Sequence, residues 1–120
     1  YRPDLLSKPQ THLPVQPIVP QDGWCNDPTH IEYNRPVRLP FSASYEALWR
    51  LDTLYNIIVD LGFNDNPPMP GLGSAIFMHV KSPASFPTEG CIALSQPDLL
   101  DVLQNCSTNT FIHIKAQPQD

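Results

Sequence analysis

Residues 74–80, Ser-Ala-Ile-Phe-Met-His-Val, form a short and almost wholly apolar run on which the interpretation of the fold depends. Such a run favours a strand covered on both faces, because a half-exposed strand would alternate apolar and polar residues. A loop of eleven residues then leads from His79 to Cys91, and a second apolar segment follows at 91–94. Ser95-Gln-Pro-Asp98 has the spacing of a capping box, with aspartate at the third helical position. It predicts a helix from Gln96 to about Asn105, with the following residues buried: Leu99, Leu100, Val102 and Leu103.

Upstream of this stretch, the pattern predicts one helix and one strand. Residues 45–50 are interpreted as a helix capped by Ser42 or Ser44. Residues 55–61 alternate well enough for a strand. The Asn- and Pro-rich residues 62–73 are expected to form a long loop.

The ends of the chain carry weaker signals. Eight of the 15 prolines lie in residues 1–40. Because proline interrupts helices, this region cannot form a long helix. We expect extended chain there, with short edge strands around residues 17–19 and 37–39. Residues 110–114 are interpreted as a closing strand. We therefore expect a mainly β domain with short helices (α+β) over residues 1–120, in which 1–22 is a proline-rich extended segment.

Charge and hydropathy exclude several classes of protein. The net charge is −5, and the seven Lys and Arg residues are scattered rather than gathered into the basic stripe of a nucleic-acid binder. No apolar run has the roughly 20 residues of a membrane span. Because the chain starts at Tyr1 rather than Met, we expect a trimmed piece whose lack of a signal peptide says nothing about export.

The three cysteines and four histidines lack the short spacings of a zinc site, so we expect no metal and no other cofactor. Cys91 follows Gly90, a residue that lets backbone amides approach a developing oxyanion. His79, on an otherwise apolar strand, is the natural base for this thiol. The competing interpretation is an inert buried cysteine and a histidine that only binds a carbonyl group.

The sequence contains Gly-Ser-Ala-Ile-Phe-Met-His-Val at residues 73–80 and Pro-Thr-Glu-Gly-Cys-Ile-Ala-Leu-Ser at residues 87–95. These two blocks resemble the active-site signature of the YkuD-type L,D-transpeptidases. They are most similar to the branch with a Thr-x-Gly-Cys-x-Ala-Leu motif, and the similarity extends over about residues 23–103. It implies a β-sandwich or barrel-like catalytic domain of the bacterial cell envelope, expected to be periplasmic. Such enzymes transfer a peptidoglycan stem tetrapeptide, through a thioester, to an amine of a neighbouring stem, and are open to carbapenem inhibition.

Carried over to this chain, the resemblance makes Cys91 the nucleophile, His79 the general base and the amides of Gly90 and Cys91 the oxyanion hole. The better-known branch has Ser-His-Gly-Cys-x-Arg, whereas this chain has Thr-Glu-Gly-Cys-Ile-Ala at 88–93, so the second histidine and the arginine are missing. Glu89 would raise the pKa of the thiol if it pointed inward, and we expect it to point outward.

Four weaker candidates for substrate binding complete the site: Arg35, Arg38, Ser74 and Asn64. Either arginine could supply a positive charge for a substrate carboxylate. Ser74 could hydrogen-bond to His79, and Asn64 belongs to the loop that could rim the site.

The other two cysteines and the aromatic residues are assigned to structure. Cys25 and Cys106 could pair in an oxidising compartment, or could be two unrelated thiols. The following aromatic residues are expected in the core: Trp24, Trp49, Tyr55, Phe77 and Phe111.

Two other functions remain open from the sequence. The same cysteine site could use water as the acceptor and act as a carboxypeptidase or endopeptidase. Alternatively, the chain could be a non-catalytic wall-binding module in which Cys91 only packs.

Overall fold

The protein is mainly β with a single short helix among the residues that this computed structural model describes, 1–83 and 90–115. Its elements occur in the following order: β1 Asp22–Cys25, β2 Pro36–Arg38, β3 Tyr45–Ala47, β4 Ile58–Asp60, β5 Phe77–Val80, β6 Ile92–Leu94 and α1 Gln96–Gln104. Two three-stranded sheets result, ordered β2-β1-β3 and β4-β5-β6. The α+β expectation is confirmed. No helix in the described part of the chain is long and apolar enough to cross a membrane.

The first sheet has its central strand in a region expected to be loop. β1 pairs antiparallel with β2 on one side and with β3 on the other, with Trp24 opposite both Pro36 and Glu46. The predicted helix over residues 45–50 is therefore wrong. A six-residue helix is marginal on its own, and the ladder to β1 satisfies the backbone of Tyr45–Ala47 instead.

The second sheet is built around β5, and all four of its residues are buried. β4 pairs with it antiparallel and β6 pairs with it parallel. The expected strand covered on both faces is thus confirmed over Phe77–Val80. The strand predicted over 55–61 is present only as Ile58–Asp60.

Side chains of β5 point alternately into two apolar clusters. The first contains Phe77 with the following residues: Ile18, Leu48, Tyr55 and Ala75. The second contains Met78 and Val80 with Ile57, Leu99 and Leu103. Phe77 and His79 therefore share the face that looks toward the first cluster, since residues two apart on a strand share a face.

α1 confirms the helix predicted from the capping-box spacing. Ser95 is its N-cap, and the Ser95 hydroxyl accepts a hydrogen bond from the Asp98 amide at 3.3 Å. Leu99 and Leu103 are buried as predicted, Leu100 packs against the second cluster at partial burial, and Val102 is 39% exposed.

Replacing the N-cap tests this local account of α1. Ser95→Ala removes the side-chain oxygen that accepts from the Asp98 amide in the first turn of α1, so we expect a loss of about 1 kcal/mol in the free energy of unfolding. Urea denaturation followed by circular dichroism measures it, with Ser42→Ala, at an exposed serine outside α1, as the control. An unchanged midpoint would mean that water replaces the cap.

Several expectations at the chain ends are wrong. Residues 110–114 form no strand, and Phe111 is 93% exposed rather than buried. Residues 17–19 also form no strand, while the edge strand near 37–39 is present as β2. Of the other predicted core aromatics, Tyr55 and Phe77 are buried, and two pack against the first cluster at partial burial: Trp24 and Trp49. Cys25 and Cys106 are both free thiols.

Candidate functional site

The parallel register of β5 and β6 brings Cys91 close to the strand that carries His79. Met78 lies opposite Ile92, and His79 lies opposite Ala93. Cys91, one residue before β6, stands beside Phe77 and packs against the first cluster. Because the first cluster lies on the side of β5 that carries Phe77 and His79, Cys91 and His79 lie on the same face of the sheet.

The thiol of Cys91 is held by the backbone of the chain that enters β5. Its Sγ donates to the Ala75 carbonyl at 3.3 Å and accepts from the Phe77 amide at 3.4 Å. Burial raises the pKa of this thiol above its ordinary value, the Phe77 amide lowers it, and the charge of Glu46 raises it further. The resting sulfur is therefore a thiol that needs a base.

Gly90 gives the turn before the thiol its shape. Its φ is +87°, a region that L side chains rarely adopt, and a Cβ placed there would lie 3.2 Å from the Ile76 side chain. Both effects favour glycine immediately before Cys91.

His79 is 4% exposed and its ring orientation is fixed by the backbone. Its Nδ1 lies 2.8 Å from the Val80 carbonyl oxygen. A carbonyl oxygen can only accept, so Nδ1 carries the proton and Nε2 is the basic nitrogen. The Tyr55 ring packs edge-on against the imidazole, with 5.6 Å between ring centres. This tautomer suits a general base.

A buried amide, Asn34, fixes the backbone segment that holds the thiol. Its Oδ1 accepts from the Ala75 amide at 3.2 Å and from the Trp24 indole at 2.9 Å. Its Nδ2 donates to the carbonyls of Phe63 and Asn64 at 2.9 and 2.6 Å. Ala75 has a φ of +58°, so this contact holds a backbone conformation that alanine rarely adopts. Asn34 therefore orients the carbonyl that binds Cys91.

Charged side chains from the first sheet and the chain after it also reach this face. Tyr55 donates a hydrogen bond from its hydroxyl to the Glu46 carboxylate, and burial raises the pKa of that phenol. The Arg50 guanidinium lies 5.3 Å from the Tyr55 ring centre and binds Asp52 through Nε at 2.9 Å and Nη2 at 2.6 Å. The hydrogen bonding by Arg50 lowers the pKa of Asp52. No spacing in the sequence singled out Glu46 or Arg50.

The two arginines proposed for substrate binding have other surroundings. Arg35 is exposed, and its carbonyl accepts from the Cys25 amide at 2.9 Å. Arg38 lies on β2, where Nη1 is 3.3 Å from Asp22 and the side chain is 73% exposed. Neither has a described contact with Cys91 or His79.

Ser74 and Asn64 hold the loop that leads into β5. The Ser74 hydroxyl donates to the Cys25 carbonyl at 2.7 Å, so this donor is directed at β1 rather than at His79. The Asn64 side chain donates to the carbonyls of Met69 and Gly73 and accepts from the Met69 amide, at 2.9–3.0 Å. These contacts close the loop over residues 64–73.

One expectation from the sequence falls on residues outside the described part of the chain. The expected outward direction of the Glu89 carboxylate concerns a residue that, like Thr88, lies outside the described residues. Within residues 1–83 and 90–115, no group of three or more His, Cys, Asp or Glu side chains is arranged to hold a metal ion.

Comparison with known proteins identifies the family of the chain. The family model of the YkuD L,D-transpeptidase catalytic domain matches residues 1–114. No curated protein and no solved structure matches the chain significantly. Since the family model covers nearly the whole sequence, the chain belongs to the YkuD family of L,D-transpeptidase catalytic domains.

Proposed function

We propose that the protein is a cysteine-dependent acyltransferase that acts on peptidoglycan stem peptides in the bacterial cell envelope. The observation that carries the proposal is the packing of Cys91 against the first cluster, on the face of β5 that also carries His79. The Nδ1 of His79 is bound to the Val80 carbonyl, so Nε2 can act as the base. Membership of the family supports a cell-wall substrate.

In the proposed acylation, Nε2 of His79 takes the proton of the Cys91 thiol while the sulfur attacks the carbonyl carbon of the third stem residue. Amides of Gly90 and Cys91 stabilise the oxyanion. The bond to the fourth residue then breaks, and the imidazolium gives its proton to the leaving amine. A thioester on Cys91 and a free terminal D-residue result.

In the second half-reaction, an amine of a neighbouring stem displaces the sulfur and restores the thiol. Water at the same position would give a carboxypeptidase or endopeptidase. The excess of negative charge around the site favours the amine.

Covalent labelling tests the proposal directly. We expect a carbapenem to add once to the protein, and Cys91→Ala and Cys91→Ser to abolish the adduct, as measured by intact mass. Cys106→Ser is the matched control and should leave labelling unchanged, because Cys106 is a cysteine of similar burial outside the site.

Two results would contradict the proposal. One is an adduct that persists in Cys91→Ala. The other is a wild-type protein whose Cys91 reacts with a thiol reagent only after denaturation, which would indicate a packing role in a wall-binding module.

A further inference from the structure

Glu46 brings a carboxylate from the first sheet to the face that carries Cys91 and His79. On β3 its neighbours Tyr45 and Ala47 are exposed, whereas Glu46 is half-buried, so its side chain points inward. There it accepts the hydrogen bond of the Tyr55 hydroxyl. Tyr55 is 5% exposed and packs against both His79 and Phe77. One aromatic ring thus separates the carboxylate from the imidazole.

The Arg50 guanidinium acts on Glu46 only weakly, because its main partner among the described carboxylates is Asp52. Arg50, which approaches the Tyr55 ring, already makes a two-point contact with Asp52. Glu46 itself is bound by the neutral phenol of Tyr55. The described groups around the site therefore comprise two carboxylates and one guanidinium, with one negative charge in excess.

A negative charge here opposes the first half-reaction. It disfavours the thiolate of Cys91, whose pKa it helps to raise, and it would disfavour the oxyanion as well. The same charge favours a cation that approaches the sulfur. An aliphatic amine is such a cation at neutral pH, since the pKa of a lysine-type ammonium is about 10.4. Water carries no charge, so the negative charge of the site does not attract it in this way.

We propose that Glu46 is the acceptor-binding residue: its carboxylate holds the ammonium of an incoming primary amine beside the acyl-Cys91 thioester. This inference rests on the proposed function, because it requires a thioester on Cys91. Once the ammonium has released a proton to solvent, the amine nitrogen forms the new C–N bond. The C–S bond breaks with its electrons on sulfur, and the second amine proton passes through His79 to Sγ. The products are an amide and the free thiol.

The test measures how the acyl-enzyme divides between an amine acceptor and water. A stem tetrapeptide is the donor, a primary aliphatic amine is the cationic acceptor, and hydroxylamine, uncharged near neutral pH, is the matched neutral acceptor. In Glu46→Gln we expect the amine-to-water product ratio to fall about tenfold, near the lower end of what a hydrogen bond to a charged group contributes. The hydroxylamine-to-water ratio should stay within about twofold, and Glu46→Asp should retain most of the amine preference.

A measurement on the wild-type protein keeps the test decisive if Glu46→Gln does not fold. Raising the salt concentration should lower the product ratio for the cationic amine and leave that for hydroxylamine unchanged, because salt screens charge. The role of Glu46 is overturned if the amine-to-water product ratio changes neither with salt nor in Glu46→Gln. It is also overturned if the ratios for the amine and for hydroxylamine fall equally. If the wild-type protein forms no acyl adduct at all, the proposed function itself fails.

Discussion

Replacing His79 with glutamine is expected to slow acylation of Cys91 about 1,000-fold near neutral pH, within the range that a positioned general base contributes. The physical reason lies in the thiol. Burial holds its pKa above the ordinary value of about 8.5, so little thiolate exists at pH 7 without a base. Glutamine keeps the approximate shape of the imidazole but cannot take the proton. Carbapenem acylation followed by intact mass gives the rate.

The pH dependence distinguishes loss of the base from loss of the fold. In His79→Gln the rate of acylation should rise about tenfold per pH unit and continue to rise beyond pH 8.5. Only the thiolate reacts, and burial raises the pH at which the thiolate forms. The wild-type rate should depend less on pH in this range. His113→Gln is the control, since His113 is exposed and lies in the segment after α1. A wild-type rate in His79→Gln would remove His79 from the mechanism.

The second large effect is expected at Asn34. Asn34→Ala leaves two donors and two acceptors without their partner: the Ala75 amide, the Trp24 indole and the carbonyls of Phe63 and Asn64. The contact with the Ala75 amide is buried and the other three are partly buried. A buried group left unsatisfied costs about 1–3 kcal/mol, and alanine also tolerates the φ of +58° less well than asparagine. We expect a loss of roughly 4 kcal/mol in the free energy of unfolding, a large part of the total for a domain of this size.

Urea denaturation followed by tryptophan fluorescence measures this loss. Asn105→Ala is the matched control, because Asn105 is an exposed asparagine that donates only to the Asp101 carbonyl among its described side-chain contacts. It should change the stability by less than about 0.5 kcal/mol. Equal midpoints for the two variants would show that water replaces the contacts of Asn34.

Local signals in the sequence predicted the parts of the fold that depend on local contacts. The Ser95 cap and the apolar run at 74–80 correspond to α1 and β5, because a cap and a buried strand are specified within a few residues. β1 and β3 were missed. Their pairing joins residues some 20 positions apart, and neither strand has an alternation long enough to be recognised.

The same distinction between local and long-range contacts applies to the residues of the site. Gly90 next to Cys91, and a histidine on an apolar strand, identified the candidate nucleophile and base from the sequence. Asn34 and Glu46 were missed because each acts on residues that are distant in the chain: the Ala75 amide lies 41 positions from Asn34. Asn34 also resembles an ordinary turn residue, and its role depends on burial that only the fold reveals.

The hydrogen bond from Asn34 to Ala75 has a consequence for how activity is lost. The carbonyl that binds the Cys91 proton belongs to a residue whose amide is anchored by the turn between β1 and β2, on the opposite sheet. Separation of the sheets by heat or denaturant would release that carbonyl and the sulfur together. Acylation should therefore disappear as the two halves of the molecule come apart, and its rate can serve as a reporter of how tightly they are docked.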